Sequence, residues 1–195
     1  AGGLAGWLGG KISGSYATGD VEAVSSTSAL AARTTAYAGG IVAYVGCSCS
    51  ISLGYATGNV TANSSTLSAY NSAGAGGLVG FGSAPVSFAH ASGRVSGTHY
   101  QGGLIGVNSS SGNISSSLFD METTGQSSGI GWQEPGSPTI DVTPLTTAQA
   151  RDASNYSGFD FNNDWYQSGD MRPILRSEAG PTVNSVTAVS NLHQL

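Results

Sequence analysis

Charge is scarce in this chain: 6 Lys and Arg and 11 Asp and Glu in 195 residues, 9% in all. The cations are scattered and the net charge is −5. This excludes a nucleic-acid surface, which needs clustered Lys and Arg against the phosphates. Long apolar runs are also missing. No stretch reaches the roughly 18 residues that a membrane-spanning helix requires, and no signal-peptide pattern is visible. Cysteine occurs only at Cys47 and Cys49, too few for a disulfide framework. No stripe of helical period persists. Carboxylates are sparse through residue 119, no Ser-His-Asp constellation can be assembled, and His-Glu-x-x-His is absent. Nothing here predicts an enzyme, a metal site or a cofactor.

What is abundant is glycine, with 30 residues, and it recurs in phrases. Gly2-Gly3-Leu4-Ala5-Gly6, Gly39-Gly40-Ile41-Val42-Ala43, Gly76-Gly77-Leu78-Val79-Gly80 and Gly102-Gly103-Leu104-Ile105-Gly106 are versions of one motif, with starts 37, 37 and 26 residues apart. Each is followed by a second phrase: Ile12 to Val21, Ile51 to Val60, Val86 to Val95, and a degenerate copy from Ile114 to Phe119. Such periods describe a stacked array in which no unit buries its apolar face alone. Within the units the apolar residues alternate. Ile41, Ala43, Val45, Cys47, Cys49, Ile51, Leu53 and Tyr55 share one parity; so do Ile12, Gly14 and Tyr16, and Val86, Phe88 and His90. Period two means strands with one face in, and these sets are expected to form inward ladders. The glycines are expected at corners needing positive φ. The prediction is an all-β fold, a right-handed parallel β-helix (β-solenoid). The variable stretches 22–38, 61–75 and 96–101 are expected to project as loops that carry recognition.

The array is expected over 1–119. Residues 120–178 differ, holding two of the three tryptophans and most of the acids, and are expected to form a C-terminal capping segment; 179–195 reads as a polar tail. In the cap, Phe119, Phe159, Phe161 and Trp165 should cover the open end of the stack, with a short helix from Thr146 or Thr147 through Arg151. Asp160 to Asp164 starts like an EF-hand loop, but Trp165 and Met171 stand where that loop needs Gly and Glu, so it reads as part of the cap. The chain opens inside a repeat, which suggests a piece of a longer protein whose uncovered edge permits head-to-tail self-association.

The Gly-Gly-Leu-Val-Gly and Ser-Tyr-Ala-Thr-Gly phrases resemble the GLUG repeats of large bacterial surface proteins, including filamentous-haemagglutinin-like adhesins and IgA-specific metallopeptidases. The resemblance continues through Leu118-Phe119-Asp120, Thr123 to Gln126, Leu145 to Gln149, Tyr156 to Phe161, Trp165 and Pro173-Ile174-Leu175-Arg176. The ending Leu175 to Glu178, with Leu192 to Leu195, is similar to the segment following these repeats in two-partner-secreted exoproteins. Phe119 and Phe159 replace the family's usual Trp, and the fourth repeat lacks Tyr-Ala-Thr-Gly. The resemblance implies a secreted or cell-surface, non-catalytic segment that attaches to a host-cell or surface ligand, a glycan among the candidates. A stalk or self-assembling filament subunit, or the stalk of a surface peptidase, is the alternative.

Tyr37, Tyr70 and Tyr100 are the candidate binding residues, since tyrosines stack on sugars; ordinary packing is the competing explanation. For Cys47 and Cys49 the i, i+2 spacing allows a strained bridge, two buried thiols, or a metal site short of ligands. His90, at the position of Tyr16 and Tyr55, reads as a rung of the aromatic ladder; His99 and His193 share no spacing with it.

Overall fold

The structure, a computed structural model, describes residues 1–28, 33–46, 49–66, 71–109, 112–137, 140–180, 182–183 and 186–187. Each of the first three sequence repeats makes one coil of four strands. The first coil is β1 (Ala5–Leu8), β2 (Lys11–Ala17), β3 (Val21–Thr27) and β4 (Thr34–Gly39). The second is β5 (Val42–Val45), β6 (Ser50–Ala56), β7 (Val60–Thr66) and β8 (Asn71–Gly76). The third is β9 (Val79–Gly82), β10 (Val86–Ala91), β11 (Val95–Gly97) and β12 (Tyr100–Gly102). The fourth has β13 (Ile105–Asn108) and β14 (Ile114–Asp120), then a one-turn helix, α1 (Met121–Thr124). A fifth half-coil adds β15 (Ile130–Gln133) and β16 (Ile140–Leu145). The chain is a β-solenoid of parallel strands in four sheets: β1-β5-β9-β13-β15, β2-β6-β10-β14-β16, β3-β7-β11 and β4-β8-β12.

In-register stacking explains the repeats. Ile12, Ile51, Val86, Ile114 and Ile140 form one aliphatic column, and Ala5, Val42, Val79, Ile105 and Ile130 another. These columns, with Ile41, Leu78 and Leu104, fill the core between the two five-stranded sheets. Each fully buried side chain of this size contributes about 1.5–3 kcal/mol. Between the three-stranded sheets the core is narrow and built from Val60, Val95 and alanines such as Ala38, Ala62 and Ala75.

The Gly-Gly pairs have a different cause from the one expected. None of them has a positive φ. They are glycine because there is no room for a Cβ. At Gly39 and Gly76 a Cβ would lie 2.0 Å from the carbonyl oxygens of Val42 and Val79. At Gly40 and Gly77 it would meet the Ala56 and Ala91 methyls at 2.6 and 2.5 Å. At Gly103 it would strike the Phe119 ring at 2.1 Å. Phe119 takes the register position held by Ala56 and Ala91 in earlier coils and plugs the interior of the stack.

In the stack, positive φ recurs instead at one position in the second strand of each of the first four coils: Gly14 (58°), Leu53 (51°), Phe88 (50°) and Ser116 (44°). This left-handed residue reverses the alternation. Ile51 and Ala56 both face the core despite their odd separation, while Leu53 and Tyr55 face outward. The expected inward ladder through Tyr16, Tyr55 and His90 is therefore an outward one.

That outward ladder is covered by the C-terminal segment. Tyr55, Leu118, Leu145, Ala150, Tyr156, Phe159, Trp165, Ile174 and Leu175 form one buried cluster, with Tyr16, Leu53, Phe88 and Phe161 against it. The aromatic cap expected around Phe159, Phe161 and Trp165 exists, but it lies along the side of the solenoid rather than over its end. A short antiparallel pair, β17 (Trp165–Tyr166) and β18 (Ile174–Leu175), brings β18 against β2 and β6. The expected helix is a 3₁₀ turn at Gln149–Arg151, where the Thr146 N–H donates to Gln149 Oε1 (2.9 Å) and the Gln149 N–H to Thr146 Oγ1 (3.2 Å).

Two further expectations change. The stack does not stop at residue 119, because β15 and β16 extend both large sheets. The stretches 22–38, 61–75 and 96–101 are not chiefly loops: they supply the third and fourth strands of their coils, with Val21–Thr27 paired residue for residue to Val60–Thr66.

Candidate binding face

The outer surface of the sheet containing β1 carries an aromatic column. Trp7, Tyr44, Phe81, Val107 and Trp132 are in register on successive coils. Trp7 is 66% exposed, and Tyr44 and Trp132 are 39% exposed. The adjoining sheet contributes Tyr37 and Tyr100, which share a register position with Gly74 between them. The rings meet across the two sheets. Tyr37 lies 4.7 Å from Phe81, Tyr44 stacks on Phe81 at 5.1 Å, and Tyr100 is 6.0 Å from Trp132. Gly74 and Val107, whose Cγ2 would be 3.1 Å from a Cβ at Gly74, make a shallow saddle between the two ring groups.

Two of the three tyrosines singled out from the sequence, Tyr37 and Tyr100, thus lie on one face; Tyr70 is outside the described residues. Trp7, Tyr44, Phe81 and Trp132 were missed. Their signal was present, since Trp7, Tyr44 and Phe81 each stand five positions after the first Gly of a Gly-Gly pair.

The face is uncharged. None of its eight strands carries Lys, Arg, Asp or Glu. At its N-terminal end the Trp7 indole rests on glycine: a Cβ at Gly9 would lie 2.6 Å from Cζ3, and one at Gly46 2.9 Å from Cζ2.

The buried titratable groups His90, Tyr55, Glu178 and Asp120 lie on the opposite side, beneath the C-terminal segment, where they act as fasteners. His90 Nε2 donates to the Pro173 carbonyl at 2.9 Å, a bond that requires the Nε2–H tautomer. Its ring stacks on Tyr55 at 5.1 Å. Burial pushes its pKa down to about 4, the Arg172 charge adds to this, and the Pro173 bond opposes it. Glu178, also buried, accepts from Tyr55 Oη at 2.9 Å and from the Leu175 N–H at 3.0 Å. Burial and this carboxylate raise the Tyr55 pKa. Asp120 caps α1 through the Glu122 and Thr123 N–H groups, each at 3.1 Å, and pairs with Arg172. Burial works against its charge, but the Arg172 bond, the Thr123 N–H and the Thr147 hydroxyl prevail and hold its pKa below the ordinary value.

The remaining candidates have structural places. Asn59 follows its turn where Asp20 and Arg94 follow theirs, and the three form a chain: Asp20 Oδ1 accepts from the Asn59 N–H at 2.7 Å, and Asn59 Oδ1 from the Arg94 N–H at 3.1 Å. Asp160 spends its carboxylate on its own turn, accepting from the Asn162 and Asn163 N–H groups and from Asn163 Nδ2. Among the described residues no group of three or more His, Cys, Asp or Glu is placed to hold a metal. The Cys49 thiol is buried and donates to the Leu8 carbonyl at 3.1 Å. Cys47 lies outside the described residues, and with it the Cys47–Cys49 bridge; so does His193. His99 is exposed beside Tyr100. Among the described residues, no helix is long and apolar enough to cross a membrane.

No family model matches the chain, and no solved structure matches it. Over 98 residues it is 35% identical to a protein of Evansella cellulosilytica named "Putative Gly-rich membrane protein". The match covers 47% of this chain and 10% of that protein, so this chain spans only a small fraction of the relative's length.

Proposed function

We propose that this chain is a rigid, non-catalytic attachment module of a secreted or cell-surface protein, of the GLUG-repeat kind found in filamentous-haemagglutinin-like adhesins. The observation that carries the reading is the exposed, uncharged aromatic column from Trp7 to Trp132. Apolar side chains normally lie in a core, and a strip of large rings left in solvent, here two ring groups on either side of Val107, marks an interaction surface. The three other long faces have other roles or other chemistry. One is covered by the C-terminal segment, and the three-stranded sheet of β3, β7 and β11 is mainly polar, showing Ser, Thr and Glu22 outward with Val24 as its exposed apolar residue and no ring. The fourth sheet's tyrosines belong to the same aromatic face. The stack gives that surface a fixed geometry, since every strand of the two large sheets is hydrogen-bonded to the next.

The test is attachment of the labelled, size-verified monomer to cell and surface panels. Saturable binding that falls when Trp7 and Trp132 are both replaced by Ala supports the reading. Equal binding by the double variant counts against it. The continuous ladders from β1 to β15 also favour a second reading, a stalk that holds some other domain away from a surface. A chain that binds nothing yet keeps its full length and stiffness in scattering and electron microscopy would support that one.

A further inference from the structure

We propose that the aromatic face binds a neutral, extended polysaccharide of equatorially linked pyranose units, lying along the axis of the stack. This rests on the attachment reading above and names its ligand class. Three observations converge on it.

The first is charge. With no Lys, Arg, Asp or Glu in the eight strands of the face, an acidic glycan, a nucleic acid or a basic peptide finds no ionic partner there. The formal charges that flank the face sit at its margins and include both signs: the N-terminal amine, which donates to the Tyr37 carbonyl at 2.6 Å, Lys11 at the start of β2, Arg33 before β4 and Glu134 after β15. A neutral ligand pays no desolvation penalty for charge on such a surface.

The second is how the rings are offered. Trp7 packs against Gly9 and Gly46 and is nevertheless 66% exposed, so most of the side chain is open to a ligand. Trp132 follows Val107, not another ring, in its column. A pyranose with equatorial substituents presents its axial C–H groups as a flat apolar plate, which matches the electron-rich face of an indole. The Tyr37, Tyr44 and Tyr100 hydroxyls stand along the same strip, where sugar hydroxyls would meet them. An apolar protein helix would gain from the rings but not from this polar edge.

The third is length. Parallel neighbours lie about 4.8 Å apart, so four rungs place Trp7 and Trp132 about 19 Å apart in a straight line. That row accommodates several sugars of an extended chain. A folded or branched glycan could engage one end only.

The experiment uses the whole chain. Co-sedimentation with microcrystalline cellulose and with chitin is measured, and cellohexaose is titrated while tryptophan fluorescence is followed; heparin is the anionic control. Binding to at least one of the two polysaccharides is expected, insensitive to salt, with heparin inert. Trp7→Ala and Trp132→Ala should each weaken it about three- to tenfold, in line with the energy of one aromatic contact, and Gly46→Val should weaken it by displacing the Trp7 indole without removing it. Circular dichroism and the unfolding midpoint check that each variant is folded. The proposal is overturned if neither polysaccharide is retained, if the double Trp variant binds as the parent does, or if the face instead drives concentration-dependent dimerisation. Cell-surface attachment that depends on Trp7 and Trp132 without any polysaccharide binding would remove the ligand class and leave the attachment reading standing. Loss of both would remove both.

Discussion

Acid should loosen the C-terminal segment from the solenoid, and His90 should be the reason. The ring sits between Tyr55, Tyr156 and Trp165, at 5.1, 5.7 and 5.4 Å, and its pKa is lowered from 6.5 to about 4. The sign follows from proton counting. Between pH 6.5 and 4 the unfolded chain binds a proton on this histidine and the folded chain does not, so stability falls as pH falls through that window. Above pH 6.5 both states are neutral there, and His90 contributes no slope. The shift from 6.5 to about 4, at about 1.4 kcal/mol per unit, gives a loss of about 3 kcal/mol by pH 4. Arg172 faces the ring and adds to its preference for neutrality; the Arg151–Asp170 pair at 2.9 Å lies nearby. Asp120, whose pKa is lowered, adds a second loss only as pH falls below the ordinary Asp range near 3.8. Urea unfolding followed by tryptophan fluorescence suits the measurement, because Trp165 is 0% exposed against His90. The midpoint should fall between pH 6.5 and 4, and His90→Phe should flatten that region. An unchanged slope in His90→Phe, or a His90 NMR titration with a pKa near 6.5, would refute the reasoning.

Other positions give sharper steric tests. Phe119→Ala should cost about 3–5 kcal/mol by emptying the interior plug, read as a drop in unfolding free energy. Gly77→Val should cost about 3 kcal/mol or more, since its Cβ would lie 2.2 Å from the Gly103 carbonyl oxygen and backbone cannot give way; poor folding yield and a lowered midpoint are the readouts. Ser116→Val should lose about 1–3 kcal/mol because a β-branched residue is forced to a φ of 44°, whereas Ser116→Gly should lose nothing. Glu178→Ala removes the acceptor of Tyr55 and of the Leu175 N–H; a loss of about 1–3 kcal/mol should appear as earlier proteolytic release of the segment after residue 145.

The parts of this architecture that were legible in the sequence are those fixed by repetition. Gly-Gly phrases at constant spacing announce coils, and the Ile12, Ile51, Val86, Ile114 column is visible as identical positions of successive phrases. Which way a side chain points was less legible. Alternation carries Ile51 and Tyr55 to the same face, and one left-handed residue at Leu53 undoes that. The sequence conceals this bend because Leu and Phe occupy two of its four occurrences, where Gly or Asn would have signalled it. The variable stretches were misjudged for a related reason. Small polar residues suit both loops and a thin sheet over an alanine core, and only pairing between coils distinguishes them. Tyr37 and Tyr100 were found by residue type, but the column they join depends on the closeness of two sheets at the Gly-Gly corner, which no single strand encodes.

The left-handed residue also links the two halves of the molecule. A strand that alternated without interruption would put Tyr16, Tyr55 and His90 into the core, where the small Ala56 and Ala91 now allow Gly40 and Gly77 to approach. Reversing the alternation turns the rings out and leaves an apolar outer face on the sheet of β2 to β16. The C-terminal segment buries that face with Tyr156, Phe159 and Trp165 and fastens it through Glu178 and His90. It also packs over Leu53 and Phe88, so the strain of their positive φ is held by contacts from the segment itself. The column of Trp7, Tyr44, Phe81 and Trp132 belongs to the other large sheet, and within the described chain nothing covers it. Two outward aromatic columns arise from the same stacking of coils, and one of them has its partner inside the chain. On the attachment proposal, the other has its partner outside it. Ala substitution of Trp165 should therefore destabilise the fold by about 3–5 kcal/mol, while Ala substitution of Trp7 should leave the unfolding midpoint nearly unchanged and act on binding alone. A Trp7→Ala variant that unfolds as readily as Trp165→Ala would mean that both columns are structural.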